Sequence, residues 1–182
     1  MVKITKYAFG QLFAKGLYAL YLEKKEAYKG MYLISGDDVQ VQATSNVTLK
    51  LDADKHLYGS EGTHFKVECV DGEKSGKKVI HLMEGSILNR LESKLKDSES
   101  YEVETPNATI GVRGTIFETS YYEEENKTVV VVTSGVVEVT SDTESVMVEA
   151  GQTGIVVDDD VELVTDNTDD TDDTDDTVEE DV

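Results

Sequence analysis

Residues 105–117 read Thr105-Pro106-Asn107-Ala108-Thr109-Ile110-Gly111-Val112-Arg113-Gly114-Thr115-Ile116-Phe117 and contain the only proline and one of the two arginines of the chain. Pro106 has a fixed φ and biases the residue before it towards an extended conformation, so we expect the segment to enter a strand through a rigid bend. Gly111 and Gly114 flank Arg113, and glycine at both positions would let the backbone pack closely around a large planar cation. Such a concentration of rare residues indicates a fixed local geometry.

Further pieces of sequence precede and follow this stretch. They are Gly30-Met31-x-Leu33-x-Ser35-Gly36-Asp37, Glu84-Gly85-Ser86-Ile87-Leu88, a valine-rich segment over residues 128–140, and Val146-Met147-Val148-Glu149-Ala150-Gly151-Gln152. Together and in this order they resemble the extracytoplasmic domain of the FecR family, from about residue 17 to residue 157. The resemblance implies a fold more than a chemistry. The residues that the resemblance marks as its structural signature are Pro106, Gly111, Arg113, Gly114, Thr115 and Gly151.

Short strands account for most of the body of the chain. Residues 39–42 and 47–51 alternate apolar and polar side chains, so each has one buried and one exposed face. Gly/Asp turns separate about a dozen such runs without any alternation of strand and helix, which predicts an all-β domain of the jelly-roll or β-sandwich type. Residues 128–133 are expected to pair with residues 136–140 across Ser134-Gly135.

Two segments are expected to differ from this pattern. The β-branched run at residues 129–132 is typical of a central strand buried on both faces. Helical spacing predicts one short amphipathic helix, with Ser86 as its N-cap, packed against the sheets. The apolar residues at that spacing are Ile87, Leu88, Leu91 and Leu95.

The resemblance and the charge distribution together divide the chain into three predicted regions. Residues 1–16 are an N-terminal segment of uncertain structure, residues 17–157 form the FecR-like β domain, and residues 158–182 are an acidic Asp/Thr-rich tail. The tail holds fourteen of the 38 acidic residues and no Lys or Arg, so the remaining chain has a net charge of −7 out of −21. We expect the tail to be disordered, because its Asp-Asp-Thr repeats have no large apolar side chain to bury.

Charge and hydropathy also limit the partners. Because Lys and Arg do not cluster, a nucleic-acid partner is excluded. Gln11 and Lys15 interrupt the apolar runs of residues 1–22, which fall short of the roughly 20 residues that span a bilayer, and no signal cleavage site follows them. Members of the resembled family usually carry a signal or membrane segment before this domain. The resemblance therefore implies an extracytoplasmic location, with membrane contact only through a segment outside this chain. One hypothesis is that the natural start lies upstream of Met1 or that this chain is an excised domain.

No pattern of catalytic residues or metal ligands emerges. His56, His64 and His81 include no His-x-His pair, and the glycines form neither a nucleophile elbow nor a phosphate-binding loop. The lone Cys69 is interpreted as a small buried side chain. The sequence therefore predicts a protein that is not an enzyme and has no cofactor or metal.

Arg113 has two interpretations. As a structural clamp, its five donors would be buried against loop carbonyls and the carboxylate of Asp37 or Asp38; as a functional residue, it would hold an anionic ligand or a partner's carboxylate. We favour the clamp, because flanking glycines suit burial and a buried guanidinium group needs paired donors.

The resemblance implies a non-catalytic domain that acts in sensing, signal transduction or protein–protein interaction at the cell envelope, with a protein partner. The alternative is a free-standing structural or ligand-binding β module of a surface or secreted protein. Such a module would bind a glycan or peptide through exposed tyrosines such as Tyr121 and Tyr122. Because adjacent strand residues point to opposite faces, only one of these two tyrosines can lie in the core.

Overall fold

The structure is a computed structural model that describes residues 2–8, 12–15, 25–72, 75–158 and 160–165, and nearly all of its regular structure is β-strand. The one helical element of the described chain is a 3₁₀ turn, Glu123–Glu125. Among these residues there is no helix long and apolar enough to cross a bilayer. The all-β class is confirmed, whereas the strand pairing does not confirm the finer prediction of a jelly roll or sandwich.

The pairing groups the strands into two sets, which we call sheets A and B. All pairs of sheet A are antiparallel. In spatial order, sheet A contains β4 (Tyr32–Leu33), β1 (Val2–Ala8), β6 (Asn46–Lys50), β7 (Lys55–Gly59), the second half of β9 (Ser75–Leu91), β12 (Ile116–Tyr122), β13 (Lys127–Ser134), β16 (Gln152–Val157) and β17 (Asp160–Thr165).

Sheet B shares the long strand β9 with sheet A. Its pairs are antiparallel except for the parallel pair of β9 with β10. In spatial order, it contains β3 (Lys25–Glu26), β2 (Leu12–Lys15), β5 (Asp38–Val41), β8 (His64–Gly72), the first half of β9, β10 (Glu99–Thr105), β11 (Ala108–Val112), β14 (Val136–Thr140) and β15 (Ser145–Glu149).

The chain passes repeatedly between the two sheets, and glycines mark the passages. Six of the seven glycines of the described chain that have positive φ lie between a strand of one sheet and a strand of the other: Gly30, Gly36, Gly62, Gly114, Gly135 and Gly151. The seventh, Gly85, lies inside β9 at the point where this strand leaves sheet B for sheet A. Gly114 shows the physical reason, since its φ is 86° and an added Cβ would lie 2.8 Å from the Cα of Lys94. The passage therefore needs both the left-handed backbone and the missing side chain.

One apolar core joins both sheets. Its buried side chains include Leu49 and Phe117 from sheet A and Phe65 and Ile110 from sheet B. The alternation predicted for β5 and β6 is confirmed, because every second residue of these strands is buried.

The core contains one buried polar pair. The Tyr101 hydroxyl donates to Asn89 Oδ1 at 2.6 Å, and both side chains are almost completely inaccessible. Burial raises the pKa of Tyr101, with a smaller contribution from Cys69, so the phenol stays a neutral donor. The core therefore depends on a hydrogen bond as well as on apolar packing.

The predicted amphipathic helix is wrong. Ile87 and Leu91 lie in β9, where they are buried together with Asn89 between them, and Leu95 lies in the loop that follows. Residues spaced by four fit a strand face as well as a helix face, so the pattern did not distinguish the two. Here β9 pairs with β7 on one side and β12 on the other, which satisfies its backbone groups on both edges.

The valine-rich segment differs from its prediction in two ways. Val130 and Val132 are buried, but Val131 is 42% exposed, so β13 has only one buried face. The expected hairpin of residues 128–133 with 136–140 is also wrong, because β13 pairs with β12 and β16 while β14 pairs with β11 and β15. Gly135 is thus a passage between the sheets and not a hairpin turn.

The predicted disorder of residues 158–182 is wrong for β17. This strand pairs along its whole length with β16, and Val161 packs against the core. Residues 166–182 lie outside the described residues. The division of the chain at residues 16 and 157 stays a prediction.

Candidate functional site

The structure separates the predicted site residues between the two ends of β12. Arg113, Gly114 and Thr115 precede this strand, and Tyr121 and Tyr122 close it. Pro106 lies in the turn between β10 and β11, beside the end that carries the tyrosines. We call the first group, together with Gly151, the signature end.

Hydrogen bonds hold Thr115 and Gly151 at the signature end. The buried Thr115 hydroxyl donates to the carbonyl of Val136 at 3.0 Å, and the Thr115 carbonyl accepts from the amide of Leu91 at 3.1 Å. The amide of Gly151 donates to the carbonyl of Val132 at 2.9 Å. These contacts join the loop before β12 to β9 and β14, and the loop before β16 to β13, so both residues stabilise passages between the sheets.

The predicted buried clamp at Arg113 is wrong, because this side chain is exposed. Its neighbour Val112 points into the core, so the strand alternation turns the guanidinium group outwards. The proposed acidic partners are engaged elsewhere: Asp37 Oδ2 accepts from the amide of Ile34 at 2.8 Å, and Asp38 Oδ1 lies 2.9 Å from His64 Nε2. Within the described chain, Arg113 forms none of the ion pairs found.

Arg113 lies between two open hollows. One, of about 330 Å³, is lined by residues that include Leu95, Lys96 and Glu99. The other, of about 310 Å³, lies on the outer face of sheet B and is lined by residues that include Glu102, Gly111, Val136, Glu138 and Met147. The guanidinium group therefore stands beside both apolar and acidic surface.

Gly111 is not needed for packing around Arg113, which corrects the sequence-based explanation. An added Cβ would lie 3.9 Å from its nearest neighbours, the Cβ and carbonyl oxygen of Glu138, which is ordinary contact. Its φ is not positive either. Gly111 instead lines the second hollow, where a side chain would take up part of the open space.

The acids around Arg113 have partners of their own. Glu102 Oε2 lies 2.8 Å from Lys77 Nζ, a hydrogen bond that raises the pKa of the lysine, and Glu138 Oε1 accepts from Ser145 Oγ at 2.8 Å. Burial raises the pKa of Glu99, but its contacts with Lys55 outweigh this effect and lower the pKa overall. Glu102, Glu138 and Glu99 are thus engaged by other side chains, while Asp97 also lines the first hollow and Arg113 keeps its hydrogen-bond donors towards the solvent.

Asn107, which follows Pro106, connects the two sheets by side-chain hydrogen bonds, and the sequence analysis did not identify this role. Its Nδ2 donates to the carbonyls of Asn126 at 2.6 Å and Val156 at 3.2 Å, and its Oδ1 accepts from Thr128 Oγ1 at 2.6 Å. The side chain is 9% exposed, so these bonds tie the turn of sheet B to sheet A. The bend into β11 predicted at Pro106 is confirmed, but nothing in the sequence marked Asn107 as the tie.

The two tyrosines point to opposite faces, as the strand alternation predicts. Tyr121 is 5% exposed, and its hydroxyl donates to Asn126 Oδ1 at 2.9 Å; burial, and then the charge of Glu123, raise its pKa. Tyr122 is 47% exposed, and Lys127 Nζ lies 5.0 Å from its ring centroid. Only Tyr122 is therefore open to a partner, where it borders a hollow of about 370 Å³ whose lining includes Glu61, Glu84, Glu123, Glu124 and Glu125.

The histidines and the cysteine contact neighbouring strands or the core. His81 Nε2 and Nδ1 lie 3.1 Å from Glu68 and 3.0 Å from Glu104, which links three strands of sheet B, and His56 stacks on Tyr58. Cys69 is partly buried against the core. In the described parts of the chain, no three His, Cys, Asp or Glu side chains form a group that could hold a metal ion.

Comparison with known proteins identifies the family. The family described as "FecR protein" matches residues 35–138. Two crystal structures of a "putative anti-sigma factor" from Parabacteroides distasonis ATCC 8503, at 1.65 and 2.50 Å resolution, have TM-scores of 0.61 and 0.60 with 17% and 18% identity. Each match covers 70% of this chain but only 59% of that chain, and at this identity it shows similarity of fold alone. No curated protein matches the chain. Because the family match covers more than half of the sequence, the chain belongs to the FecR protein family.

Proposed function

We propose that this chain is a non-catalytic regulatory domain that takes part in signal transduction at the cell envelope, and that Arg113 contacts an acidic group of its protein partner. Membership of the FecR family supports a regulatory role, and the description of its structural neighbours as anti-sigma factors agrees with one. The alternative is a free-standing glycan- or peptide-binding module that uses the exposed Tyr122 and its acidic hollow.

The exposed Arg113 is the observation on which the proposal rests. A guanidinium group offers a planar fork that binds carboxylates in a bidentate manner, and here the fork faces solvent between two hollows. Three of the acids that line these hollows, Glu102, Glu138 and Glu99, are engaged by Lys77, Ser145 and Lys55. A fourth acid, Asp97, lines the first hollow, but Arg113 forms no ion pair with it. A carboxylate from a partner would thus meet a cation without displacing an existing ion pair.

Arg113→Gln tests this role, with Arg90→Gln as the matched control. Both arginines are exposed and both changes remove one positive charge, but Arg90 pairs with Glu92 and lines neither hollow at Arg113. A photo-crosslinking amino acid at Ser100, which lines both hollows, would capture the partner in native cells. We expect Arg113→Gln to abolish the crosslinked protein while the melting temperature stays within a few degrees of the wild-type value.

Two outcomes would contradict the proposal. A crosslink of unchanged yield in Arg113→Gln would show that this surface binds without the arginine. A large loss of stability in Arg113→Gln, absent in Arg90→Gln, would restore the clamp interpretation. Binding of the purified chain to immobilised glycans, lost on Tyr122→Ala and unaffected by Arg113→Gln, would support the ligand-binding alternative.

A further inference from the structure

Five aliphatic side chains lie on the outer face of β13, β16 and β17, together with Lys127, Thr153, Asp160 and Glu162. The register sets Val129 opposite Ile155, and Thr153 between Val131 and Val164. We call this surface the valine strip. Its members are Val129, Val131, Ile155, Val157 and Val164.

Strand propensity alone does not explain the valine strip. Val131, Val157 and Val164 are 42%, 37% and 38% exposed, so their methyl groups contact water. Threonine is also β-branched and suits an exposed strand, and the outer face of sheet B uses it at Thr109 and Thr140. The outer face of sheet B also has exposed apolar side chains, at Val136 and Met147, but they lie beside threonines and ion pairs. The valine strip instead groups five aliphatic side chains on three neighbouring strands.

Acidic side chains border the valine strip. Glu118 lies beside Val131 on β12, and Asp160 and Glu162 lie on β17 beside Val157 and Ile155. Lys127 lies opposite Val157 on the same face and pairs with Glu125. In the described residues, this face therefore carries three carboxylates beside the strip and one lysine that is already paired. The sequence beyond Thr165 contains ten further Asp and Glu and no Lys or Arg.

We propose that the valine strip docks a basic amphipathic segment of a partner protein. The apolar side of this segment would cover Val131, Val157 and Val164, and its Lys or Arg side chains would meet Glu118 and Glu162. The acidic residues beyond Thr165 would raise the local concentration of such a partner. Anionic lipid and a second copy of this chain, whose net charge is −21, carry the wrong charge for this surface.

This surface is separate from the Arg113 hollows. The second hollow at Arg113 lies on the outer face of sheet B, whereas the valine strip lies on the outer face of sheet A. The two proposals also require opposite charges in the partner. Loss of one contact therefore leaves the other measurable.

Fluorescence anisotropy on the full chain, in about 0.15 M salt, tests the proposal. The probe is a labelled Leu/Lys peptide of about 18 residues that forms an amphipathic helix, compared with a scrambled peptide of the same composition that has no apolar face. We expect the amphipathic peptide to bind about tenfold more tightly than the scrambled one, the difference that burial of a few aliphatic side chains produces. Val131→Thr/Val157→Thr is expected to abolish this preference.

Two control variants separate the valine strip from other causes. Ile34→Thr changes an aliphatic side chain that is 37% exposed and belongs neither to the strip nor to the Arg113 hollows, and it should leave peptide binding unchanged. Glu162→Lys should weaken binding of the amphipathic peptide about fivefold, because an attraction becomes a repulsion, whereas Glu149→Lys on sheet B should not.

Several results would overturn the proposal. Equal binding of the scrambled peptide would mean that only the acidic residues attract it. If Val131→Thr/Val157→Thr still binds the amphipathic peptide more tightly than the scrambled one, the valine strip is not the binding site. Binding of the wild-type chain to phosphatidylserine vesicles, or a dimer in light scattering that Val131→Thr/Val157→Thr disrupts, would assign the strip to a membrane or to self-association.

Discussion

Lys55 is a buried cation whose removal tests what holds the loop beside the signature end. Its side chain is 5% exposed, and its Nζ lies 3.2 Å from Asp54 Oδ1, 3.3 Å from Glu99 Oε2 and 3.5 Å from Asp52 Oδ2. Burial lowers the pKa of Lys55, but the hydrogen bond to Asp54 and the nearby carboxylate charges outweigh it and raise the pKa overall. Lys55→Met keeps the length of the side chain and removes its charge.

Lys55→Met should lower the free energy of unfolding by about 3 kcal/mol. Removal of one partner of a buried ion pair costs about 3–5 kcal/mol, and we take the lower end because water screens carboxylates that are exposed by 20–44%. For a domain of this size, that loss corresponds to a fall in melting temperature of about 6–12 °C.

Lys96→Met is the matched control for this change. It removes the same charge next to the same Glu99, at 3.8 Å, from a side chain that is 81% exposed. A surface ion pair of this kind contributes less than about 1 kcal/mol. Urea denaturation of both variants at pH 7 gives the comparison.

The pH dependence separates charge from packing. The carboxyl pKa values of Asp52, Asp54 and Glu99 are lowered in the folded state, so their contribution is complete above the unfolded pKa and is lost as the pH falls through the folded pKa. The pKa of Lys55 is raised in the folded state, so its contribution to stability is lost as the pH rises, and only in strong alkali. The difference between wild type and Lys55→Met should therefore be constant near neutral pH and shrink in acid. An equal loss at pH 3 and pH 7, or a loss no larger than that of Lys96→Met, would refute the reasoning.

Three further changes test individual contacts. Gly114→Ala should lower the melting temperature strongly, because a Cβ at positive φ would meet the backbone of the 92–98 loop, whereas Gly111→Ala should change stability by less than about 1 kcal/mol. Tyr101→Phe should cost about 1–3 kcal/mol in urea denaturation, because Asn89 loses its hydrogen-bond donor, and adding Asn89→Leu should recover part of that loss. Asn107→Ala should cost about 2–4 kcal/mol, since it removes the bonds that tie the two sheets, and a wild-type stability would contradict this assignment.

Local sequence pattern predicted those parts of the fold that depend on neighbouring residues. Period-two alternation identified β5 and β6, and the fixed φ of Pro106 predicted the bend before β11. The same pattern failed for β9, because the spacing of Ile87, Leu91 and Leu95 fits both a helix and a strand. Only the neighbours on either side of β9, which are distant in sequence, decide between the two.

The passages between the sheets explain most of the other errors. Gly135 has the composition of a hairpin turn, yet the chain there leaves sheet A for sheet B. A positive φ is compatible with either course, so the residue alone cannot indicate which strand is the next neighbour. The direction of Arg113 depends on the same choice, because the register of β11 against β14 turns its neighbour Val112 inwards.

The signature stretch combines residues that the fold needs with residues that it does not need. Gly114 and Thr115 have steric and hydrogen-bonding reasons for their identity, since they join the passage to the 92–98 loop and to β14. Gly111 and Arg113 have none in the described chain: a Cβ fits at the first, and the second points to solvent. A chain that kept Gly114 and Thr115 but lost the other two would therefore fold. If the Arg113 surface binds a partner, that chain would keep its folding stability but lose partner binding. This combination distinguishes a binding residue from a structural one.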